Sequence, residues 1–191
     1  MRDIPTDNYG PAAKELIARA AEAKRPQTLV FAAPDAGAEA ALRVMSDQTI
    51  SKNRRVRMPH DAQALQAAFW LLFDFMKESH DISQTIATPS GSYWHGVLHR
   101  REPDAFNAKY WMARVGEHPI FPELLNDAHE IAARVPNQIS PKLNELKSWD
   151  AAWFTDQCCS EMEPPTKEVL LEIQRREWSL LFDYNFGKAF A

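Results

Sequence analysis

Cysteine is scarce in this sequence, which has 191 residues and only two cysteines, the neighbours Cys158 and Cys159. Adjacent cysteines rarely form an unstrained disulfide, so we do not expect a disulfide-stapled fold. The pair is either two buried thiols in a helix or a reactive vicinal dithiol, and the helical surroundings favour buried thiols. Glycine is also scarce, with six residues, and no glycine-rich phosphate loop is present.

Long hydrophobic runs are missing as well. The longest, AAFWLLF at 67–73, is too short to cross a bilayer and is typical of a buried helix. The first fifteen residues contain no apolar segment of the kind found in secretory signals, so we expect a cytoplasmic protein. A net charge of −4 gives no reason to expect nucleic acid or a membrane surface as a partner.

Helix formers dominate the chain, and no alternation of strands and helices suggests a parallel sheet. We predict a single all-α globular domain over 1–191 with about eight helices, in which residues 1–8 form a flexible N-terminus. The most apolar predicted helix runs from about 61 to 80, and a long one covers 165–186. The pentapeptides LLFDF at 71–75 and LLFDY at 180–184 resemble each other, which similar packing duties would explain.

Asp74 lies within the apolar run of the predicted 61–80 helix. A buried carboxylate needs a partner, and Lys77 is close enough along the helix to provide one. Asp74, Glu78 and Asp81 recur at i, i+4 and i+7 and would share a face. A local ion pair and a functional role are both open for Asp74.

The stretch GSYWHGVLHRREPDAFNAKYWMARVGEHPIF, residues 91–121, holds three of the six histidines among many charged and aromatic side chains. On a helix predicted over 90–101, His95 and His99 are four residues apart, and Glu102 lies one turn further on. Two imidazoles at this spacing can share a metal ion or a substrate, and a histidine beside a carboxylate can act as a general base. His95, His99 and Glu102 are therefore the predicted catalytic residues.

A second polar face is expected on a helix over 103–115, which Pro103 separates from the first. The predicted ligand-binding residues are Asn107, Lys109, Tyr110, Arg114 and His118. Three of them, at 107, 110 and 114, share one helix face. The basic side chains at 109 and 114 would hold an anionic group.

The end of the 61–80 helix is expected to complete a metal site. The predicted metal ligands are Glu78, His80, His95 and His99. Neutral imidazoles with a carboxylate suit Zn²⁺, Ni²⁺ or Fe²⁺. A divalent transition metal is the expected cofactor, and a small molecule is the expected ligand.

Known local signatures do not identify the chemistry. Gly96 occupies the position of the glutamate in the H-E-x-x-H zinc helix, and no Glu-x-x-His pair of the di-iron bundles exists. Two hypotheses therefore stay open. The first is a metal-binding or ligand-binding helical protein, in its sharpest form a metal-assisted hydrolase. The second is a non-enzymatic protein that acts through homo-oligomerisation or partner binding, with the His, Arg and Glu residues forming a structural ion-pair network.

Several segments resemble a family of uncharacterised bacterial and fungal all-α proteins. They are SHDISQ at 79–84, YWHGVLHRREPD at 93–104, NAKYW at 107–111, RVGEHPIF at 114–121 and QRREWSLLFDY at 174–184. The resemblance covers roughly residues 60–186. It implies a soluble helical protein of about this length and assigns no role to any residue.

Overall fold

The computed structural model describes residues 8–190, which form one compact all-α domain and confirm the predicted fold class. The expected flexible N-terminus falls mostly at residues 1–7, outside the described residues. The described part contains eleven helices, more than the eight predicted. They are α1 (Pro11–Glu22), α2 (Ala36–Arg43), α3 (Asp47–Ser51), α4 (Pro59–Leu72), α5 (Met76–Ser83), α6 (Pro89–Arg101), α7 (Ala105–Val115), α8 (Phe121–Ala132), α9 (Ser140–Leu143), α10 (Ala151–Cys159) and α11 (Pro164–Ala189).

The prediction of one helix over 61–80 was wrong, because the chain breaks between α4 and α5. Asp74 lies in the break with a φ of 67°, in the left-handed region. Its carboxylate accepts hydrogen bonds from Arg25, at 2.7 Å, and from Arg101, at 2.6 Å. The proposed local partner Lys77 instead binds Asp81 on α5. Two long-range ion pairs, rather than a local one, therefore neutralise this buried carboxylate.

Helix α6 carries most of the polar stretch and is buried from Ser90 to Arg101. Its start agrees with the local sequence, since Pro89 occupies the first turn and the Thr88 side chain accepts a hydrogen bond from the Gly91 N–H at 3.1 Å. The helix therefore has no solvent-facing side, and its polar residues must find partners on neighbouring helices.

Helix α11 provides the partners on one side of α6. Tyr93 donates a hydrogen bond to Glu177 at 2.9 Å, and the Trp94 indole donates to Asn185 at 2.8 Å. Arg100 binds the same Glu177 carboxylate and is 1% exposed. These contacts fix the rotation of α6 about its own axis.

Helix α7 packs against another side of α6. It begins at Ala105 with Asp104 as its N-cap, two residues later than the predicted start at Pro103. It ends at Val115, as predicted, and Gly116 follows with a φ of 62°. A Cβ placed on Gly96 would lie 3.0 Å from the terminal methyl of Met112. Glycine at 96 thus permits the close packing of α6 and α7, which explains why no glutamate occupies this position.

None of the helices within residues 8–190 combines the length and apolarity needed to cross a membrane.

Candidate metal centre

Three of the predicted metal ligands come together where α5 packs on α6. His80, His95 and His99 each place one ring nitrogen within 4.8 Å of the other two. The Nε2 atoms of His95 and His99 lie 2.9 Å apart, and the His80 ring centroid is 4.7 Å from that of His95. The i, i+4 spacing on α6 orients two of these rings, and the break at Asp74 allows α5 to supply the third.

The outer nitrogens of the two α6 histidines have partners of their own. His95 Nδ1 lies 3.2 Å from the Ser83 hydroxyl, and His99 Nδ1 lies 2.9 Å from a Glu102 carboxylate oxygen. A carboxylate only accepts hydrogen bonds, so His99 Nδ1 carries a proton, and in the neutral ring Nε2 is the nitrogen with the lone pair. Such contacts on the outer nitrogen are how proteins orient histidine ligands toward a metal.

Burial keeps the central histidine uncharged. His95 is 2% exposed, and its ring stacks on Trp111 of α7 with centroids 4.2 Å apart. Burial, and to a lesser extent the neighbouring histidines His99 and His80, lower the pKa of His95 to about 3. The neutral imidazole is the form that binds metals.

A cleft of about 390 Å³ opens beside this cluster. It is lined by Met76, Lys77, His80, Asp81, His99, Glu102, Asp104 and Asn107. His95 lies behind it and is buried, whereas the Glu102 side chain is 41% exposed. His80 and His99 thus lie at the floor of a cleft that a small molecule could enter from solvent.

Of the predicted ligand-binding residues on α7, Asn107 lines this cleft, and the other three have different contacts. Lys109 binds Asp156 of α10 at 2.7 Å. Arg114 lies over the rings of Tyr110 and Trp111, with its Cζ 5.8 and 5.4 Å from the two centroids. Neither basic side chain lines the cleft, because each already has a partner outside it.

Glu78, a predicted metal ligand, also lies apart from the three histidines. Its carboxylate is 3.8 Å from the guanidinium of Arg43 on α2. The helix break at Asp74 changes the register of α5, so the face shared by positions 74, 78 and 81 on one continuous helix does not exist. Glu102 is the carboxylate that contacts the cluster.

His118 was predicted to border the site but belongs to a separate aromatic cluster. Its ring contacts those of Tyr93, Phe121 and Tyr184, with centroids 4.8 to 5.9 Å away. Its Nε2 lies 3.4 Å from the Ser90 hydroxyl. Burial lowers its pKa to about 4. His118 is therefore a neutral residue of the core.

This burial predicts an acid-sensitive fold. Because the pKa of His118 falls from 6.5 to about 4 on folding, the unfolded chain binds more protons between these values, and acidification favours unfolding. Urea denaturation measures how far the free energy of unfolding falls between pH 7 and pH 4.5. We expect this fall to be about 2 kcal/mol smaller in His118→Gln than in the parent protein. The matched control is His60→Gln on the exposed start of α4, which should keep the pH dependence of the parent protein. Equal pH dependence in all three proteins would contradict this assignment.

The two cysteines are free thiols at the end of α10. Cys158 is buried, and burial raises its pKa to about 12. Burial also raises the pKa of Cys159, whose thiol lies 3.6 Å from the carbonyl oxygen of Arg100. Thiols of raised pKa are poor nucleophiles, so the interpretation as structural residues is favoured over a reactive pair.

Two site residues were missed by sequence reasoning. Ser83 lies beyond the predicted end of the 61–80 helix, although it follows His80 by three residues and shares a face of α5 with it. Trp111 stands in the aromatic mixture of the 91–121 stretch, with no local feature that assigns it to His95. Only the packing of α7 on α6 brings them together.

Comparison with known proteins gives no family for this chain, since no family model, curated protein or solved structure matches it. The resemblance noted from its motifs stays a prediction.

Proposed function

We propose that the protein binds a divalent transition metal through His80, His95 and His99 and presents it to a small molecule in the adjoining cleft. The observation that carries this proposal is the convergence of three imidazole nitrogens within 4.8 Å. A cytoplasmic location, as expected from the sequence, belongs to the same proposal.

The distance between two of the three nitrogens fits a metal site. Two nitrogens that each bind a metal at about 2.1 Å lie about 3.0 Å apart at a right angle and about 3.4 Å apart in a tetrahedron. The 2.9 Å between the Nε2 atoms of His95 and His99 is close to the first value. A right angle is the arrangement of ligands on one face of a five- or six-coordinate ion. Three imidazoles suit zinc, nickel, copper or iron.

Three protein ligands leave coordination positions for water or a substrate atom, the arrangement typical of catalytic metal sites. A metal in such a site lowers the pKa of bound water and polarises carbonyl or phosphoryl groups. Metal-assisted hydrolysis is therefore the reaction class that we assign to the site. Glu102, hydrogen-bonded to His99 and exposed to the cleft, is the residue positioned to accept a proton there.

Metal binding tests the proposal directly. Untagged protein is stripped with a chelator and titrated with Zn²⁺, Ni²⁺, Cu²⁺ and Fe²⁺, and bound metal and thermal unfolding are measured. We expect one ion per chain and, at one hundred times the dissociation constant, a stabilisation of about 2.7 kcal/mol. His60→Ala, which removes a histidine outside the cluster, should bind equally well. No bound ion and no stabilisation with any of the four metals would refute the proposal.

Glu102→Gln tests the outer contact. Glutamine keeps the size of the side chain but removes the negative charge. That charge orients the His99 ring and makes it a more basic metal ligand. We expect metal affinity to fall by about 10- to 100-fold, the usual cost of removing such a partner. Competition with a chromophoric chelator measures it. Glu78→Gln, which removes a carboxylate of α5 outside the cluster, is the control, and equal affinities of the two variants would contradict the role of Glu102.

The second candidate function is non-enzymatic, and the hydrogen bonds within the cluster favour it. Ser83, His95, His99 and Glu102 form a continuous chain of polar contacts that is satisfied without any ion. In that case the protein would act through a partner or a second copy, for which the apolar surface of α7 is available, with Phe106 82% exposed. The metal titration separates the two, because only the first function requires the imidazoles to exchange this hydrogen bond for a cation.

A further inference from the structure

We propose that the ligand of the cleft carries a positively charged nitrogen group, an amine or a guanidine, a short distance from the atom that approaches the metal. This inference rests on the proposed metal site and adds the chemical class of its ligand. It replaces the anionic substrate expected from the sequence.

The charged side chains of the cleft are mostly acidic. Asp81, Glu102 and Asp104 line it, and Lys77 is the one basic residue among its described lining residues. The Lys77 ammonium is held by Asp81. The rim therefore has more negative than positive charge and provides no unengaged cation for a phosphate or a carboxylate.

The nearby basic residues are also engaged elsewhere. Lys109 binds Asp156, and Arg114 lies over Trp111. The two arginines that follow His99 point into the core, where Arg100 binds Glu177 and Arg101 binds Asp74. Apart from the metal ion itself, an anionic group in the cleft would therefore face carboxylates with no unengaged cation beside it.

The floor and the rim of the cleft differ in what they attract. The imidazoles of His80 and His99 line the floor. A metal ion held by the three histidines would take an electron-rich oxygen or nitrogen atom there. The carboxylates at the rim are partly exposed, with the side chains of Asp81 and Glu102 52% and 41% exposed. Each carboxylate can accept several hydrogen bonds, so those already made leave acceptor capacity for an ammonium or guanidinium group. A ligand with a donor atom at one end and a cation at the other matches this arrangement.

Three small hydroxamates of different charge test the inference on zinc-loaded protein. The probes are acetohydroxamate, which is neutral, glycine hydroxamate, which carries an ammonium group, and succinic monohydroxamate, which carries a carboxylate. At about pH 6 the α-amino group of glycine hydroxamate stays protonated, so all three probes present the same hydroxamate head to the metal. Isothermal titration calorimetry at low salt should give glycine hydroxamate about tenfold higher affinity than acetohydroxamate, and the carboxylate probe lower affinity than both.

Neutralising the rim should abolish this order. In the Asp81→Asn, Asp104→Asn double variant, asparagine at 104 can still cap α7, and the preference for glycine hydroxamate should fall below about threefold. Glu145→Gln, which removes an exposed carboxylate paired with Lys142 outside the cleft, should keep the preference. This inference is overturned, and the metal site stays, if the protein binds zinc but shows one of three results. It binds the three probes equally, it prefers the carboxylate probe, or it binds no hydroxamate. A failure to bind zinc overturns both.

Discussion

His95→Ala is expected to reduce metal affinity by more than about 100-fold, beyond the range for residues that only orient a ligand. His95 is the central histidine of the cluster, with its Nε2 2.9 Å from that of His99 and its ring 4.7 Å from that of His80. Its removal leaves two imidazoles on two different helices. The affinity is measured by chelator competition, and the loss should appear equally for every metal that the parent protein binds.

Truncating a buried histidine also affects the fold. The variant loses the contact with Ser83 and the stacking on Trp111, so its free energy of unfolding without metal should fall by about 1–3 kcal/mol. The informative quantity is therefore the difference in stability with and without metal. His80→Ala provides a second test, because His80 is only half-buried and its truncation disturbs the core less. If both variants keep the metal-dependent stabilisation of the parent protein, the three-histidine site is wrong.

The fold could be predicted where local signals dominate. Thr88-Pro89, Asp104 and Gly116 bound α6 and α7 as their residue types suggest. The pentapeptides LLFDF and LLFDY show where local signals end. The second lies inside α11, whereas the first ends α4 and places its aspartate at a φ of 67°. Arg25 and Arg101, which are distant in sequence, bind that aspartate in the break. The pentapeptide alone gives no indication of these partners.

The candidate site could likewise be predicted only where the spacing along one helix determines it. The i, i+4 spacing of His95 and His99 and the position of Glu102 one turn later were sufficient to place them on one face. The third histidine depended on how α5 folds back over α6, and the residues expected to meet them from α7 depended on a helix crossing that the sequence does not specify. Arg114 and Lys109 were predicted to bind a ligand because they are basic. The sequence does not show that Trp111 and Asp156 are their partners in the fold.

Glu177→Ala is expected to reduce the free energy of unfolding by about 3–5 kcal/mol, a large share of the 5–15 kcal/mol of a typical domain. Glu177 is 1% exposed and binds the guanidinium of Arg100, which is equally buried, and it also accepts the hydrogen bond of Tyr93. Removing the carboxylate leaves a cation in the core with Gln174 as its remaining side-chain hydrogen-bond partner. Urea denaturation measures the loss.

Matched variants separate charge burial from packing. In the Glu177→Leu, Arg100→Met double variant neither charge of this pair remains in the core, so about half of the lost stability should return, while the Tyr93 hydroxyl still lacks its acceptor. Glu145→Ala, which breaks an exposed pair with Lys142, should leave stability nearly unchanged. A double variant less stable than Glu177→Ala would contradict this explanation, because the uncompensated Arg100 cation would then not be the cause of the loss.

The same ion pair connects the fold to the candidate site. Arg100 follows His99 directly on α6, so its contact with Glu177 on α11 fixes the rotation that points His95 and His99 away from α11 and toward α5. We therefore expect Glu177→Ala to weaken metal binding as well, although Glu177 does not contact the histidines. The double variant should recover stability more completely than metal affinity, because methionine and leucine restore packing but not the directed hydrogen bonds that set the angle of the helix. Equal recovery of both quantities would mean that packing alone orients α6.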